Sequence, residues 1–121
     1  MQIFKTKAFG RFQRRERITD AALIEAVERA ERGLVDADLG RGLIKQRVAR
    51  AGQGRRSGFR TIIAYQLEER AMFLYGFAKN QRANLNQADE HDLAALGETL
   101  INASDEIIQD LLTNDDLKEV L

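Results

Sequence analysis

The apolar residues of this 121-residue chain change their spacing twice. From Leu23 to Ala30 they recur every three or four residues, as on one face of a helix. From Leu43 to Arg50 they alternate with polar residues, as in a strand, and from Asn84 the helical spacing returns. Such a pattern combines helices with a sheet, and this length supports one core. The sequence therefore predicts a single α+β domain over residues 1–121.

Two helices are predicted before the sheet. Met1 to Lys5 carries isolated apolar residues and predicts an edge strand. Phe9 and Phe12, three residues apart, anchor a basic helix whose cations point outward. Thr19 is a suitable N-cap for the second helix, and Gly33 marks its end. Together they predict a helical hairpin that packs on the sheet.

Three strands are predicted to form an antiparallel meander with the helices on one face. Leu34 to Gly42 is turn-like and precedes the alternating strand from Leu43 to Arg50. A glycine-rich and basic loop, Ala51 to Gly58, leads to the second strand, Phe59 to Leu67. The third strand, Ala71 to Lys79, is almost continuously apolar, which predicts a central position buried on both faces.

The C-terminal part is predicted to be helical and acidic. Ser104 has the character of an N-cap for a short helix, and Asn114 is predicted to start a last helical turn. We expect a core of about residues 1–103 followed by an amphipathic helical tail, residues 104–121. Because the tail carries regularly spaced apolar residues, it is expected to pack on the body of the protein or on another subunit.

The charges are unevenly distributed although the formal net charge is zero. Seven cations and no acidic residue lie between Arg41 and Arg60. Strand alternation places Lys45 and Arg47 on one face, and Arg60 enters the neighbouring strand, so the three cations can converge on a phosphate. An ordinary solvated sheet face is the other interpretation. Solvated surfaces usually mix both signs, whereas a field of one sign attracts polyanions.

The composition excludes several classes of site. The chain has no cysteine, which rules out disulfides, a thiolate nucleophile and a zinc–cysteine cluster. It also lacks the continuous apolar stretch of a signal peptide or a membrane span. We therefore expect a cytoplasmic protein that has no contact with a membrane.

The sequence resembles a known family in three runs between residues 43 and 80: LIKQRVAR, GRRSGFRTIIAY and YGFAKN. It is similar to the RelE toxins of bacterial type II toxin–antitoxin systems, in the HigB-like branch, with an added C-terminal helical segment. The resemblance implies the RelE-like, microbial-ribonuclease type of fold. It also implies a toxin that enters the ribosomal A site, cuts messenger RNA and is held inactive by an adjacently encoded, helix-turn-helix antitoxin. Operator DNA would be bound only through the antitoxin complex.

Cleavage of RNA by its own 2′-hydroxyl needs a proton acceptor and charge stabilisation at phosphorus. His91 lies among acidic residues, which is a poor place for RNA, and we expect it to be solvent-exposed. By the resemblance, Lys45, Arg47 and Arg60 are the catalytic residues, with Lys45 as the base and Arg60 as the phosphate ligand. No cofactor is expected, and no acidic residues have a recognisable metal-ligand spacing.

Further cations are expected to hold RNA or the ribosome, with the hairpin-end arginines making the more distant contacts. They are Arg41, Arg50, Arg55, Arg56, Lys79 and Arg82.

The family pattern is incomplete after the last strand, because no tyrosine occurs from Gln81 onward. In the family such a tyrosine stacks on or activates the substrate base, and here that role is unassigned. Phe59, Tyr65 and Tyr75 are expected to be core aromatic residues, although one of them could stack on a base.

Two other functions are compatible with the sequence. One is a ParE-like toxin that inhibits DNA gyrase and keeps the fold without the ribonuclease residues. The other is a non-catalytic nucleic-acid-binding module in which the cations only hold phosphates.

Overall fold

A computed structural model of the protein describes residues 1–50, 58–78 and 87–121. The described residues form one sheet of six strands, in the spatial order β2-β3-β4-β5-β1-β6, and four helices. The predicted α+β class is confirmed. Along the chain the elements are β1 (Gln2–Thr6), α1 (Lys7–Glu16), α2 (Asp20–Glu31), β2 (Ala37–Gly40), β3 (Leu43–Val48), β4 (Phe59–Gln66), β5 (Arg70–Ala78), α3 (Gln87–Ile101), α4 (Asp105–Thr113) and β6 (Leu117–Glu119).

The predicted meander is present as β3, β4 and β5, which pair antiparallel in sequence order. The sheet is nevertheless mixed, because β1 runs parallel to β5. The prediction of an edge strand at residues 1–5 is wrong, since β1 lies between β5 and β6. Its Phe4 is buried between the sheet and the C-terminal helices, which explains the interior position. Residues 34–42 are not only a turn, because β2 pairs with β3 there.

The end of the chain also differs from the prediction. Instead of a last helical turn, the residues after Asn114 form β6, which pairs antiparallel with β1. Leu117 and Val120 are buried, and the Val120 amide donates a hydrogen bond to the Ile3 carbonyl at 2.9 Å. The expected packing of the tail on the body is confirmed, because Ile108 of α4 is buried as well.

Helices cover both faces of the sheet, so the prediction of one covered face is wrong. On the α1/α2 face, Phe9 and Leu23 pack with Phe73 of β5. On the α3/α4 face, Leu100 and Ile108 pack with residues of β4 and β5. The strands present apolar side chains on both sides, and each side requires a cover. Within the described ranges no helix is both long and apolar enough to cross a membrane.

The helix ends follow the predicted signals. Thr19 and Ser104 cap α2 and α4, each accepting a hydrogen bond from the amide three residues later, at 3.1 and 3.2 Å. Gly33 has a φ of 83°, which glycine adopts without steric cost, and it follows the end of α2.

The pairing of β4 with β5 shifts by one residue in the middle of the strands. Ile62 lies opposite Tyr75, whereas Ile63 lies opposite Phe73, so that β5 has one extra residue at this point. The shift reverses the alternation beyond it and places Tyr75 and Phe77 on the α3/α4 face. Gly76 faces the other side, where a Cβ atom would lie 2.3 Å from the ring of Phe12.

Candidate phosphate-binding site

Three cations gather on the α3/α4 face of the sheet. As the alternation predicted, Ile44, Gln46 and Val48 of β3 are buried, while Lys45 is partly exposed and Arg47 is exposed. Arg47 pairs directly with Arg60 of β4. Opposite residues in such a pair have Cβ atoms about 5 Å apart, and the diagonal from Lys45 to Arg60 is about 7–8 Å. We call Lys45, Arg47 and Arg60 the sheet cluster.

The sheet cluster is energetically unfavourable when no anion is bound to it. Like charges directly opposite each other destabilise a strand pair. In addition, Nη1 of Arg60 is buried, and no acceptor among the described residues bonds to it. A buried donor without a partner costs about 1–3 kcal/mol, and more when it is charged. An anion bound between Arg47 and Arg60 would relieve both costs, since guanidinium groups bind phosphate oxygens in a bidentate manner.

The backbone of Arg47 is fixed by α2 and by the segment before β2. Arg29, with only 4% of its side chain exposed, donates from Nη2 to the Arg47 carbonyl and pairs with Glu25 at 2.6 Å. The carboxylate of Asp36 accepts a hydrogen bond from the Arg47 amide at 2.7 Å and lies 3.4 Å from Nη1 of Arg29. The position of Arg47 therefore depends on a charge network around the buried Arg29, which the sequence did not indicate.

A buried glutamine completes this support. Gln46 accepts from the Asp36 amide at 2.7 Å and donates to the Ala26 carbonyl of α2 at 2.9 Å. The backbone carbonyl of Gln46 accepts a hydrogen bond from the hydroxyl of Thr61 at 2.9 Å. The available sequence signal was a polar residue on the otherwise apolar side of β3, where a satisfied hydrogen-bond network is required.

Two aromatic residues lie beside the cations on the same face. Tyr75 and Phe77 are half-buried, and their ring centroids are 6.1 Å apart. Tyr75 continues the row of Lys45 and Ile62, and Phe77 pairs with Arg60. Tyr75 packs against the core of the α3/α4 face, as predicted, and the shifted register also brings it beside the sheet cluster.

The other two predicted core aromatics lie away from the sheet cluster. Phe59 is fully buried on the α1/α2 face, as predicted. Tyr65 is partly buried against the same core, and its hydroxyl bonds to the carboxylate of Glu31. Burial, together with the hydrogen bond and the charge of Glu31, raises the pKa of Tyr65, so its phenol stays protonated at neutral pH.

A cavity of about 290 Å³ adjoins the sheet cluster on the side of α3. Its lining includes Ile62, Arg41 and His91. His91 is exposed, as predicted, with Nδ1 3.1 Å from Nη1 of Arg41. Arg41 also pairs with Glu98 of α3 at 2.9 Å, so this predicted RNA-binding cation contacts an acid of the same chain.

The model of a protein family, described as the RelE toxin of the RelE / RelB toxin–antitoxin system, matches residues 1–120. The chain belongs to this family. The match extends from β1 to β6, so the C-terminal helices and strand fall within it. A search of curated proteins finds no match. The RelE resemblance is thus confirmed, whereas the HigB-like branch stays a prediction.

Not every predicted RNA-binding residue of this RelE toxin lies near the sheet cluster. The guanidinium of Arg50 lies over the ring of Phe59, 4.8 Å from its centroid, on the α1/α2 face. No group of three or more acidic or histidine side chains in the described ranges is arranged to hold a metal ion. The remaining predicted contacts lie outside the described residues: Arg55, Arg56, Lys79 and Arg82.

Proposed function

We propose that this RelE toxin is a ribosome-dependent endoribonuclease that cuts messenger RNA in the A site and so inhibits translation. The observation that carries the proposal is the direct pairing of Arg47 with Arg60 in adjacent strands, with Lys45 on the diagonal. Arg60 also has a buried donor that no described residue accepts from. This arrangement suits a phosphodiester, whose negative charge increases as the 2′-oxygen attacks phosphorus.

The sheet cluster supplies the two functions that the reaction requires. Lys45, in its neutral amine form, takes the proton of the ribose 2′-hydroxyl, and the 2′-oxygen forms a bond to the adjacent phosphorus. Arg60, with Arg47, holds the phosphoryl oxygens as their charge grows. The bond from phosphorus to the 5′-oxygen then breaks, and that oxygen takes up a proton from a water molecule. The products are a 2′,3′-cyclic phosphate and a free 5′-hydroxyl. No step requires a cofactor or a metal ion.

Tyr75 and Phe77 take the stacking role for which the family uses a C-terminal tyrosine. Their half-exposed rings lie next to Arg60 and Ile62 on the face that carries the cations. Bases pulled out of a single strand stack on such rings, which holds the scissile phosphate in register with Lys45.

The family match implies an antitoxin partner. We propose a helix-turn-helix antitoxin, encoded by the adjacent gene, that blocks the access of messenger RNA to the sheet cluster. The toxin would contact operator DNA only as part of that complex. Its place of action would be the bacterial cytoplasm, where translating ribosomes supply the substrate.

The test is cleavage of a defined messenger RNA on purified translating ribosomes. Wild-type toxin released from its antitoxin should cut in the A site. Treatment of the free toxin with EDTA should not reduce its later cleavage of messenger RNA on intact ribosomes. Lys45→Ala and Arg60→Ala should each lose about a hundredfold or more in turnover, because each removes a group that acts in the transition state. Lys118→Ala is the matched control, since it removes an exposed cation of β6.

Three outcomes separate the candidate functions. Cutting that depends on Lys45 and Arg60 supports the ribonuclease. Binding of ribosomes or RNA without cutting, by wild-type and variants alike, would leave a non-catalytic module. Inhibition of DNA supercoiling by gyrase, with no effect on messenger RNA, would identify a ParE-like toxin and overturn the proposal.

A further inference from the structure

The exposed side of α1 carries a stripe of cations that the sheet cluster does not include. The opposite side of the helix is buried through Phe9, Phe12 and Gln13. The exposed cations follow the helical spacing i, i+4, i+7 and i+8, which places them on one side of the helix. We call them the α1 stripe: Lys7, Arg11, Arg14 and Arg15.

Arg50 extends the α1 stripe toward the end of β3. The guanidinium of Arg15 lies 5.6 Å from the ring centroid of Phe12, and that of Arg50 lies 4.8 Å from the ring centroid of Phe59. The two rings contact each other edge to face, with their centroids 5.6 Å apart. One aromatic pair therefore orients both cations, and it does so on the α1/α2 face of the sheet.

The composition of this surface favours a nucleic acid over a protein partner. Residues 7–17 hold five cations and one acid, Glu16, which lies 3.5 Å from Arg15. The large apolar side chains that are exposed in the described ranges all lie outside α1. Protein interfaces have an apolar centre, whereas interfaces with nucleic acids are polar and strongly positive.

We propose that the α1 stripe and Arg50 form a second RNA-binding surface, which grips the phosphodiester backbone of folded RNA. From Lys7 to Arg15 the stripe is about 12 Å long at 1.5 Å per residue, enough to span several phosphates of one strand. It lies on the opposite side of the sheet from Lys45. The toxin can therefore hold one RNA segment with α1 while the sheet cluster contacts another.

Which RNA α1 binds depends on the proposed function, whereas the binding of phosphates by α1 does not depend on it. On a ribosome, the segment held by α1 would be ribosomal RNA, since the messenger occupies the sheet cluster. A free strand could instead contact both surfaces. Binding to vacant small ribosomal subunits and binding to a single-stranded messenger fragment distinguish these two sources.

The test compares two double variants that each lower the net charge by two. Arg11→Gln with Arg15→Gln changes the α1 stripe, and Arg32→Gln with Lys118→Gln is the matched control at two exposed positions elsewhere. Affinity for vacant subunits and for the messenger fragment is measured between about 50 and 200 mM salt, with circular dichroism as the folding check.

Loss of two phosphate contacts should reduce the slope of log affinity against log salt by about 1.4–1.8 and weaken binding about tenfold or more at low salt. The control double should keep a slope near that of the wild type. Equal slopes for the two doubles on both probes would overturn the proposal, and so would a defect limited to antitoxin binding. Because no cleavage is measured, the result is independent of whether the toxin cuts RNA.

Discussion

The two basic surfaces of this toxin differ in how their charges are held. In the sheet cluster, strand pairing fixes Arg47 opposite Arg60. The backbone of Arg47 is bound by the buried Arg29 and by the more exposed Asp36. In the α1 stripe the cations are exposed on one side of a helix, and aromatic contacts orient only its Arg15. Charges with fixed positions can stabilise a transition state, because little reorganisation remains when the reaction occurs. Exposed surface charges mainly add affinity that depends on salt.

The sheet cluster should lose its fixed geometry when the hydrogen bonds of Arg29 to the backbone of Arg47 and to its acidic partners are removed. Arg29→Met should lower the free energy of unfolding by about 1–3 kcal/mol. The Arg47 carbonyl loses a hydrogen-bond donor, and the partly exposed carboxylates of Glu25 and Asp36 lose a charged partner. Chemical denaturation measures this loss. Arg32→Met, at an exposed position just after α2, is the control and should change stability by less than about 0.5 kcal/mol.

The same variant also tests the role of position in catalysis. Turnover of folded Arg29→Met should fall even though the sheet cluster keeps all three cations. If turnover stays at the wild-type level while stability falls, the network under Arg47 serves folding alone, and the contrast between supported and exposed charges loses its basis.

A smaller effect is expected at the aromatic part of the site. Tyr75→Ala removes a ring beside the cations. The free energy of activation that kcat/KM reports should rise by about 1–3 kcal/mol, which is the stacking energy of one base. Tyr75→Phe keeps the ring and should retain most activity. Tyr65→Phe is the matched control, because that hydroxyl bonds to Glu31 on the α1/α2 side. Equal kinetics for Tyr75→Ala and the wild type would remove stacking from the account.

The smallest effect concerns the region that orients α1. Burial raises the pKa of Asp20, but hydrogen bonds from Gln13 and Lys5, at 2.7 and 3.2 Å, outweigh it and leave the pKa lowered. A lowered carboxyl pKa stabilises the folded state above the unfolded value of about 3.9, and this stability is lost as pH falls through the folded pKa. Asp20→Asn should therefore lower the Tm modestly at neutral pH.

Thermal unfolding across pH checks this linkage. The difference in Tm between the wild type and Asp20→Asn should narrow as pH falls below about 4 and through the lowered pKa of the folded carboxyl. Glu28→Gln, at an exposed position of α2, is the control for the removal of one carboxylate. A difference that stays constant down to the acid limit would mean that Asp20 acts through packing and not through its charge.

The sequence was sufficient where a pattern repeats over many residues. The alternation from Leu43 to Val48 predicted both the strand and the shared face of Lys45 and Arg47, because side-chain direction follows strand position directly. The capping residues Thr19 and Ser104 act within one turn, and they predicted the starts of α2 and α4.

The sequence was insufficient where long-range pairing decides. A one-residue shift in β5 moves Tyr75 and Phe77 to the face of the cations, and the run from Ala71 to Lys79 is too uniformly apolar to reveal it. The three residues of β6 are too few for a period, so only their pairing with β1 defines them as a strand. Arg50 belongs to the α1 side because of its contact with Phe59, which spacing alone does not show.

We assign catalysis to the sheet cluster and RNA binding to the α1 stripe. This assignment is tested most directly by the single-turnover rate of messenger cleavage as a function of ribosome concentration, which reaches a plateau at saturation. We predict that Arg60→Ala lowers the plateau about a hundredfold or more. Arg11→Gln with Arg15→Gln should raise the half-saturating concentration and lower the plateau less than twofold. A wild-type plateau for Arg60→Ala would contradict the account, as would a loss of plateau rate in the α1 double as large as that in Arg60→Ala.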